Sequence, residues 1–236
     1  MDSRGRDRAG PDDRPAPWPP PRKYQRPVSL TNQGAQPPSA ILTVCTGNIC
    51  RSPLAEQLIR AQLHDNGLST FQVVSAGLHA AAGAPMEPLP AALSREYGGN
   101  PNGSVGRQIS AEVVEAAGLV LTMTRKQRDE LVKKYPGAAQ RAFTMAEFAR
   151  AAAMVPSGEG TAAPAAASWA SVTGAVTNTP LAGLVSRTAA VRSTAELRDE
   201  DDIPDPINAS EAVHRDVAQR IAGHCKDVAD ILRKHL

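Results

Sequence analysis

The run AILTVCTGNICRSPLAE, residues 40–56, constrains the fold more than any other part of this chain. Ala40–Cys45 carries no charge and reads as a short buried strand. Five residues follow, small or polar except for Ile49. Ser52-Pro53 then supplies a helix N-cap and a first-turn proline, and Leu54, Leu58, Ile59 and Leu63 form one apolar stripe behind them. A strand therefore passes through a tight Gly-Asn loop straight into a helix, which brings the strand end and the positive helix start to the same place.

The same rhythm continues downstream. FQVVSAG (71–77) and GLVLTM (118–123) read as second and third strands, and RAF (141–143) as a very short fourth. The charged run TRKQRDELVKKY follows the third strand as a helix. TMAEFARAA follows the fourth, with Thr144 and Glu147 spaced as a capping box. A last helix over roughly 209–234 places Val213, Val217, Ile221, Cys225, Val228 and Leu232 on one side. Alternating strands and helices predict an α/β chain with a parallel sheet covered on both faces.

Two stretches break the rhythm. Residues 1–39 form a Pro/Arg-rich tail that includes PAPWPPPRK, and they lack the apolar surface to offset ordering, so disorder is expected there. Residues 150–200 read as an Ala/Ser/Thr/Gly-rich insertion before an acidic loop. Within it, TPLAGLVSRTAAV suggests a short capped helix with Leu181, Leu184, Val185 and Thr188 turned inward. Residues 179–192 are expected to act as a flap beside the cleft.

Charge and cysteine content exclude several classes. The net charge is +2, and the first 40 residues alone carry seven basic groups against four acidic ones. The remainder has no basic excess, which argues against nucleic acid as a partner. Three cysteines without a regular framework do not suggest a secreted disulfide scaffold. No apolar run approaches the ~20 residues that span a bilayer, and the N-terminus lacks an apolar signal core. A cytoplasmic protein with no membrane partner is expected. The five histidines share no metal-like spacing, so neither a metal nor another cofactor is expected.

The chemistry concentrates at Cys45–Ser52. A free cysteine, with a pKa of about 8.5, is only slightly ionised near neutrality, yet the thiolate is the form that attacks phosphorus. This segment has three means of holding negative charge. Thr46, Gly47, Asn48, Ile49 and Cys50 can turn successive amides inward as an anion nest. The helix behind Pro53 points its positive end at the same space. Arg51 can grip two oxygens of a phosphate in a bidentate fork. Gly47 and Asn48 both tolerate the left-handed backbone such a loop needs.

VCTGNICRSPLAE resembles the phosphate loop of the low-molecular-weight protein-tyrosine phosphatases. SAG (75–77), RQIS (107–110), LVLTMT (119–124) and DIPDP (202–206) follow in that family's order. The resemblance implies a single flavodoxin-like three-layer domain over 40–236 with a four-stranded parallel sheet. It implies Cys45 as nucleophile, Arg51 as phosphate ligand, Ser52 as hydrogen-bond partner of the sulfur, Asn48 as loop support and Asp205 as general acid. Asp202 is the runner-up for the acid, and the alternative for the 199–205 run is a solvated acidic loop without a catalytic role. Cys50 is either the partner of Cys45 in a reversible protective disulfide, as in related phosphatases, or a small buried residue shaping the loop.

The chain also departs from the family. Tyrosines that often follow the Asp-Pro are replaced by Ile207 and Asn208, and the aromatic after SAG by HAAA (79–82). A histidine that often supports the loop asparagine is Ser104. The expected activity is metal-independent hydrolysis of phosphotyrosine-like monoesters through a phosphocysteine, on a phosphorylated protein or a small aryl phosphate. Thiol-coupled arsenate reduction and a non-catalytic phosphopeptide-binding module are the alternatives. Cys225, on the apolar face of the last helix, is expected in the core and not in a cysteine relay.

Overall fold

The computed structural model describes residues 40–156, 179–194 and 198–236. The Pro/Arg-rich tail and the middle of the 150–200 insertion lie outside the described residues. Four strands, β1 (Ala40–Cys45), β2 (Gln72–Gly77), β3 (Ala117–Thr122) and β4 (Ala142–Thr144), pair in the order β2-β1-β3-β4, all parallel. Seven α-helices are described: α1 (Arg51–Asp65), α2 (Pro88–Glu96), α3 (Ala111–Glu115), α4 (Arg125–Lys134), α5 (Met145–Ala153), α6 (Pro180–Val191) and α7 (Glu211–His235).

The two-residue alternation of the strands divides the core into two layers. Ile41, Cys45, Leu119 and Leu121 face a cluster completed by α1, α5, α6 and α7. Leu42, Val44, Val120 and Ala76 face the opposite cluster, completed by α3 and α4 through Val113, Val114 and Leu131. This is the three-layer flavodoxin-like arrangement expected from sequence. Its neighbours place β1 between β2 and β3, so connections leave β1 and β3 toward opposite sides. A crevice opens there, at the carboxyl ends of the strands. Among the described residues no helix is long and apolar enough to cross a membrane.

Three departures from the sequence reading have physical causes. Helices α2 and α3 were not anticipated: α3 has only five residues and α2 carries Pro88 and Pro90, so neither shows a sustained apolar period. In α7, Val217, Ile221, Cys225, Val228 and Leu232 are buried, but Val213 in the first turn is 40% exposed. The third departure concerns residues 179–192. Thr179 caps α6 by accepting the Ala182 amide, and Leu181, Leu184, Val185 and Thr188 are buried as the periodicity requires. That face packs on β3, α5 and α7 in the main core. A helix with its apolar face spent on the sheet is a layer of the core and not a flap over the cleft.

At the β4 edge the capping box of α5 doubles as an ion-pair hub. Thr144 Oγ1 accepts the Glu147 amide and Glu147 Oε2 accepts the Thr144 amide, both at 3.1 Å. The same carboxylate, fully buried, meets Arg128 Nη1 at 2.8 Å and Arg192 Nε at 3.0 Å. Arg192 also lies 4.0 Å above the Phe143 ring and donates to the carbonyls of Ala139 and Ala142. Removing one member of a buried ionic cluster leaves its partners uncompensated. Glu147→Ala is therefore expected to lower stability by about 3 kcal/mol. Glu147→Gln, which keeps the cap, should lose less; urea unfolding followed by circular dichroism measures both.

Candidate active site

The loop between β1 and α1 owes its shape to bonds made on its outside. The carbonyls of Cys45, Thr46, Gly47 and Ile49 accept the amides of Leu78 (3.0 Å), His79 (2.9 Å), Ala81 (2.9 Å) and Glu87 (2.8 Å). In a planar trans peptide the N–H points opposite to its C=O. Outward carbonyls thus turn the amides of Thr46, Gly47, Asn48 and Cys50 into the loop. The Asn48 amide accordingly donates to Cys45 Sγ at 3.3 Å. Asn48 alone of the Gly-Asn pair takes the left-handed conformation, with φ of 54°.

The segment that ties down these carbonyls is itself held close. Gly106 exchanges backbone hydrogen bonds with Gly83 and Ala84, and a Cβ placed on it would lie 2.2 Å from the Ala81 carbonyl oxygen. Only glycine fits that approach.

Inside the loop, Asn48 is fully enclosed. Its Nδ2 donates to Ser52 Oγ (2.9 Å) and its Oδ1 accepts the Arg107 amide (2.8 Å). The support expected from a side chain at Ser104 is thus supplied by backbone three residues later. Ser52 Oγ lies 3.0 Å from Cys45 Sγ. This is the contact the resemblance implies for Ser52, and it replaces the N-cap role its sequence position suggests. Helix α1 begins at Arg51, its N-cap is Cys50, and no side chain caps it. The first-turn amides and the positive end of the helix are left facing the loop.

Cys45 is 2% exposed at the loop floor, and Cys50 and Cys225 are also buried; all three are free. Burial, with Cys45 next in weight and Arg51 opposing, pushes the Cys50 thiol up to about 12, so it is protonated near neutrality. Cys225 sits in the core against the Ala55 carbonyl, far in character from a relay thiol.

Arg51, buried on the first turn of α1, reaches across the chain. Its Nη1 donates to the Ile203 carbonyl at 3.0 Å and its Nη2 meets Asp205 Oδ2 at 2.5 Å. Its Nε is buried without a hydrogen-bond partner. The side chain of Asp205 is 46% exposed, and its Oδ1 accepts the Ile207 amide at 3.3 Å. Residues 154 apart in sequence therefore share one ion pair at the loop mouth.

The other acidic residues of the run are engaged elsewhere. Asp202 accepts the Arg125 amide at 2.8 Å and its guanidinium at 3.2 and 3.3 Å. Asp199 meets Arg125 Nη2 at 2.8 Å, and buried Asp201 is gripped through both oxygens by Arg150. The run is thus an anchored loop and not a freely solvated one. Sequence reasoning also passed over Gln127. It is buried on the charged helix α4, where its amide links the Met123 N–H to Thr46 Oγ1. Nothing in the run RKQRDE distinguishes it from its exposed neighbours.

Burial disfavours the Asp201 charge, but the Arg150 guanidinium and the Arg198 amide outweigh it and hold the carboxyl below its usual range. A depressed native pKa stabilises the fold above the unfolded-state value, near ~3.9, and that contribution disappears as pH falls through the native value. Asp201→Asn should therefore destabilise the protein at pH 7, with the deficit shrinking below about pH 4. Urea melts at the two pH values check this.

Residues 40–156 match the family model described as low molecular weight phosphotyrosine protein phosphatase. "Probable low molecular weight protein-tyrosine-phosphatase EpsP" of Ralstonia nicotianae is 35% identical over 108 residues, 46% of this chain and 71% of its own length. The protein-arginine-phosphatase of Geobacillus stearothermophilus is 35% identical over 111 residues, 47% of this chain and 72% of its own. Among solved structures, a YwlE mutant from Bacillus subtilis shares the fold, with a TM-score of 0.57 and 22% identity over 83% of this chain and 99% of that one. The chain belongs to the low molecular weight phosphotyrosine protein phosphatase family.

Proposed function

We propose that residues 40–236 form a metal-independent phosphatase that uses Cys45 as nucleophile and passes through a phosphocysteine. The observation that carries this reading is the vertical order of the site. Cys45 Sγ lies at the floor with Ser52 Oγ at 3.0 Å and the Asn48 amide at 3.3 Å, and the Arg51–Asp205 pair lies at the mouth. An oxyanion seated between them would meet inward amides, the helix start and the Arg51 guanidinium, including its unpartnered Nε.

In the first step the Cys45 thiolate attacks phosphorus. The S–P bond forms as the bond to the leaving oxygen breaks, and Asp205 in its acid form gives that oxygen its proton. In the second step the Asp205 carboxylate takes a proton from water as the water oxygen attacks phosphorus. The S–P bond then breaks, releasing inorganic phosphate and restoring the thiolate. Asp205 suits both steps because it sits at the mouth, partly exposed, on a loop stiffened by Pro204 and Pro206. Asp202, tied to Arg125, faces α4 instead.

The substrate proposed is a phosphotyrosine-like monoester on a protein, or a small aryl phosphate. One relative is named a tyrosine phosphatase and another an arginine phosphatase, so both phosphoryl classes enter the test. The full chain should hydrolyse 4-nitrophenyl phosphate undiminished in a chelator, and Cys45→Ser should reduce turnover to background. Phosphotyrosine peptide is expected to be cleaved in preference to phosphoarginine peptide. Activity surviving in Cys45→Ser would refute the reading, and so would turnover confined to arsenate with a thiol donor.

A further inference from the structure

We propose that Arg125 is a positioning residue for the acid loop, holding Asp202 so that Asp205 stands over the cradle. The inference rests on the proposed role of Asp205 as proton donor. It assigns a task to two residues that no part of that mechanism uses.

Arg125 is the first residue of α4, where Thr124 caps the helix through its hydroxyl. A helix start attracts a carboxylate both by its free amides and by its dipole. Asp202 takes that place, accepting the Arg125 backbone amide at 2.8 Å. The guanidinium of the same residue closes on the other oxygen of Asp202 at 3.2 and 3.3 Å, so one carboxylate is fixed in position and orientation. Arg125 Nη2, which makes the 3.2 Å contact, also reaches Asp199 at 2.8 Å, three residues earlier in the loop.

Only Ile203 and Pro204 separate this anchor from Asp205. Ile203 is buried, its amide donates to the Met123 carbonyl at 2.9 Å, and its carbonyl accepts Arg51 Nη1 at 3.0 Å. Pro204 fixes its own φ. The two intervening residues therefore have little freedom to absorb a shift at Asp202. A displacement there is passed along the loop toward Asp205, while the backbone of the cradle stays tied to residues 78–87.

A proton donor that moves matters most when the leaving group needs the proton. The test is the ratio of kcat/KM for phenyl phosphate, a poor leaving group, to that for 2,4-dinitrophenyl phosphate, a good one. Arg125→Ala should lower the phenyl phosphate value by about tenfold or more, while the dinitrophenyl value stays within about twofold. Competitive inhibition by inorganic phosphate should be unchanged, since the cradle is intact. Asp202→Asn, which removes the charge at the other end of the contact, must shift the ratio the same way and guards against a folding defect in the first variant. On an Asp205→Asn background, Arg125→Ala should cause no further loss on phenyl phosphate.

Equal losses on both substrates, an unchanged ratio, or an additive loss in the double variant would overturn the positioning role. The Asp205→Asn single variant keeps the two readings apart. If it has a wild-type ratio, Asp205 is not the acid. If its ratio collapses while that of Arg125→Ala does not, the acid stands and the anchor fails.

Discussion

The outward hydrogen bonds of four carbonyls, those of Cys45, Thr46, Gly47 and Ile49, are the constraint on which the rest of the site depends. A loop of five residues between a strand and a helix has no ladder to fix its peptide planes. Here residues 78–87 act as an external template, and every carbonyl they hold turns its paired amide into the loop. The template needs its own backing, which explains why Gly106 lies so close behind Ala81 and why Arg107 offers its amide to Asn48. The cradle is thus the inner of three nested layers of backbone, braced from within by the Asn48 side chain, with other side chains at its floor and rim.

The rim is electrostatic. Arg51 is nearly inaccessible to water, and a buried guanidinium is costly unless it is paired. Its two terminal nitrogens are satisfied by the acid loop, through the Ile203 carbonyl and the Asp205 carboxylate. The phosphate-binding side chain and the acid loop therefore stabilise each other. Asp199 and Asp202 are paired with Arg125 on α4, and Asp201 with Arg150 on α5. In the mechanism proposed, a dense run of negative charge is tolerated next to an anion site because all but Asp205 of its described carboxylates are neutralised away from the mouth.

Much of this was legible in sequence because it is local. Strand β1, the Gly-Asn loop and the stripe of α1 lie within two dozen residues, and local spacing determines them. The Thr144–Glu147 capping box was legible for the same reason. Pairings between distant segments were not. The apolar side of α6 was correctly read, but periodicity says only that a face is buried and not what covers it, so a core helix was taken for a flap. Ser52 has the composition and place of an N-cap, and its contact with the Cys45 sulfur was legible only through the family resemblance, not from local spacing. Gln127 and Arg125 sit in a run of charges where sequence offers no reason to prefer one residue over another. Val213 continues the α7 stripe one turn beyond the surface that covers it.

The central claim is that the sulfur of Cys45, at the floor of the backbone cradle, carries the phosphoryl group between the two halves of the reaction. The most direct measurement is rapid acid quench of the enzyme during turnover of 2,4-dinitrophenyl phosphate, followed by mass analysis of its peptides. The account predicts one added phosphoryl group on the peptide containing Cys45, and its accumulation when Asp205→Asn slows attack by water. Turnover with no phosphorylated peptide under either condition, or with phosphate on a different residue, would contradict it.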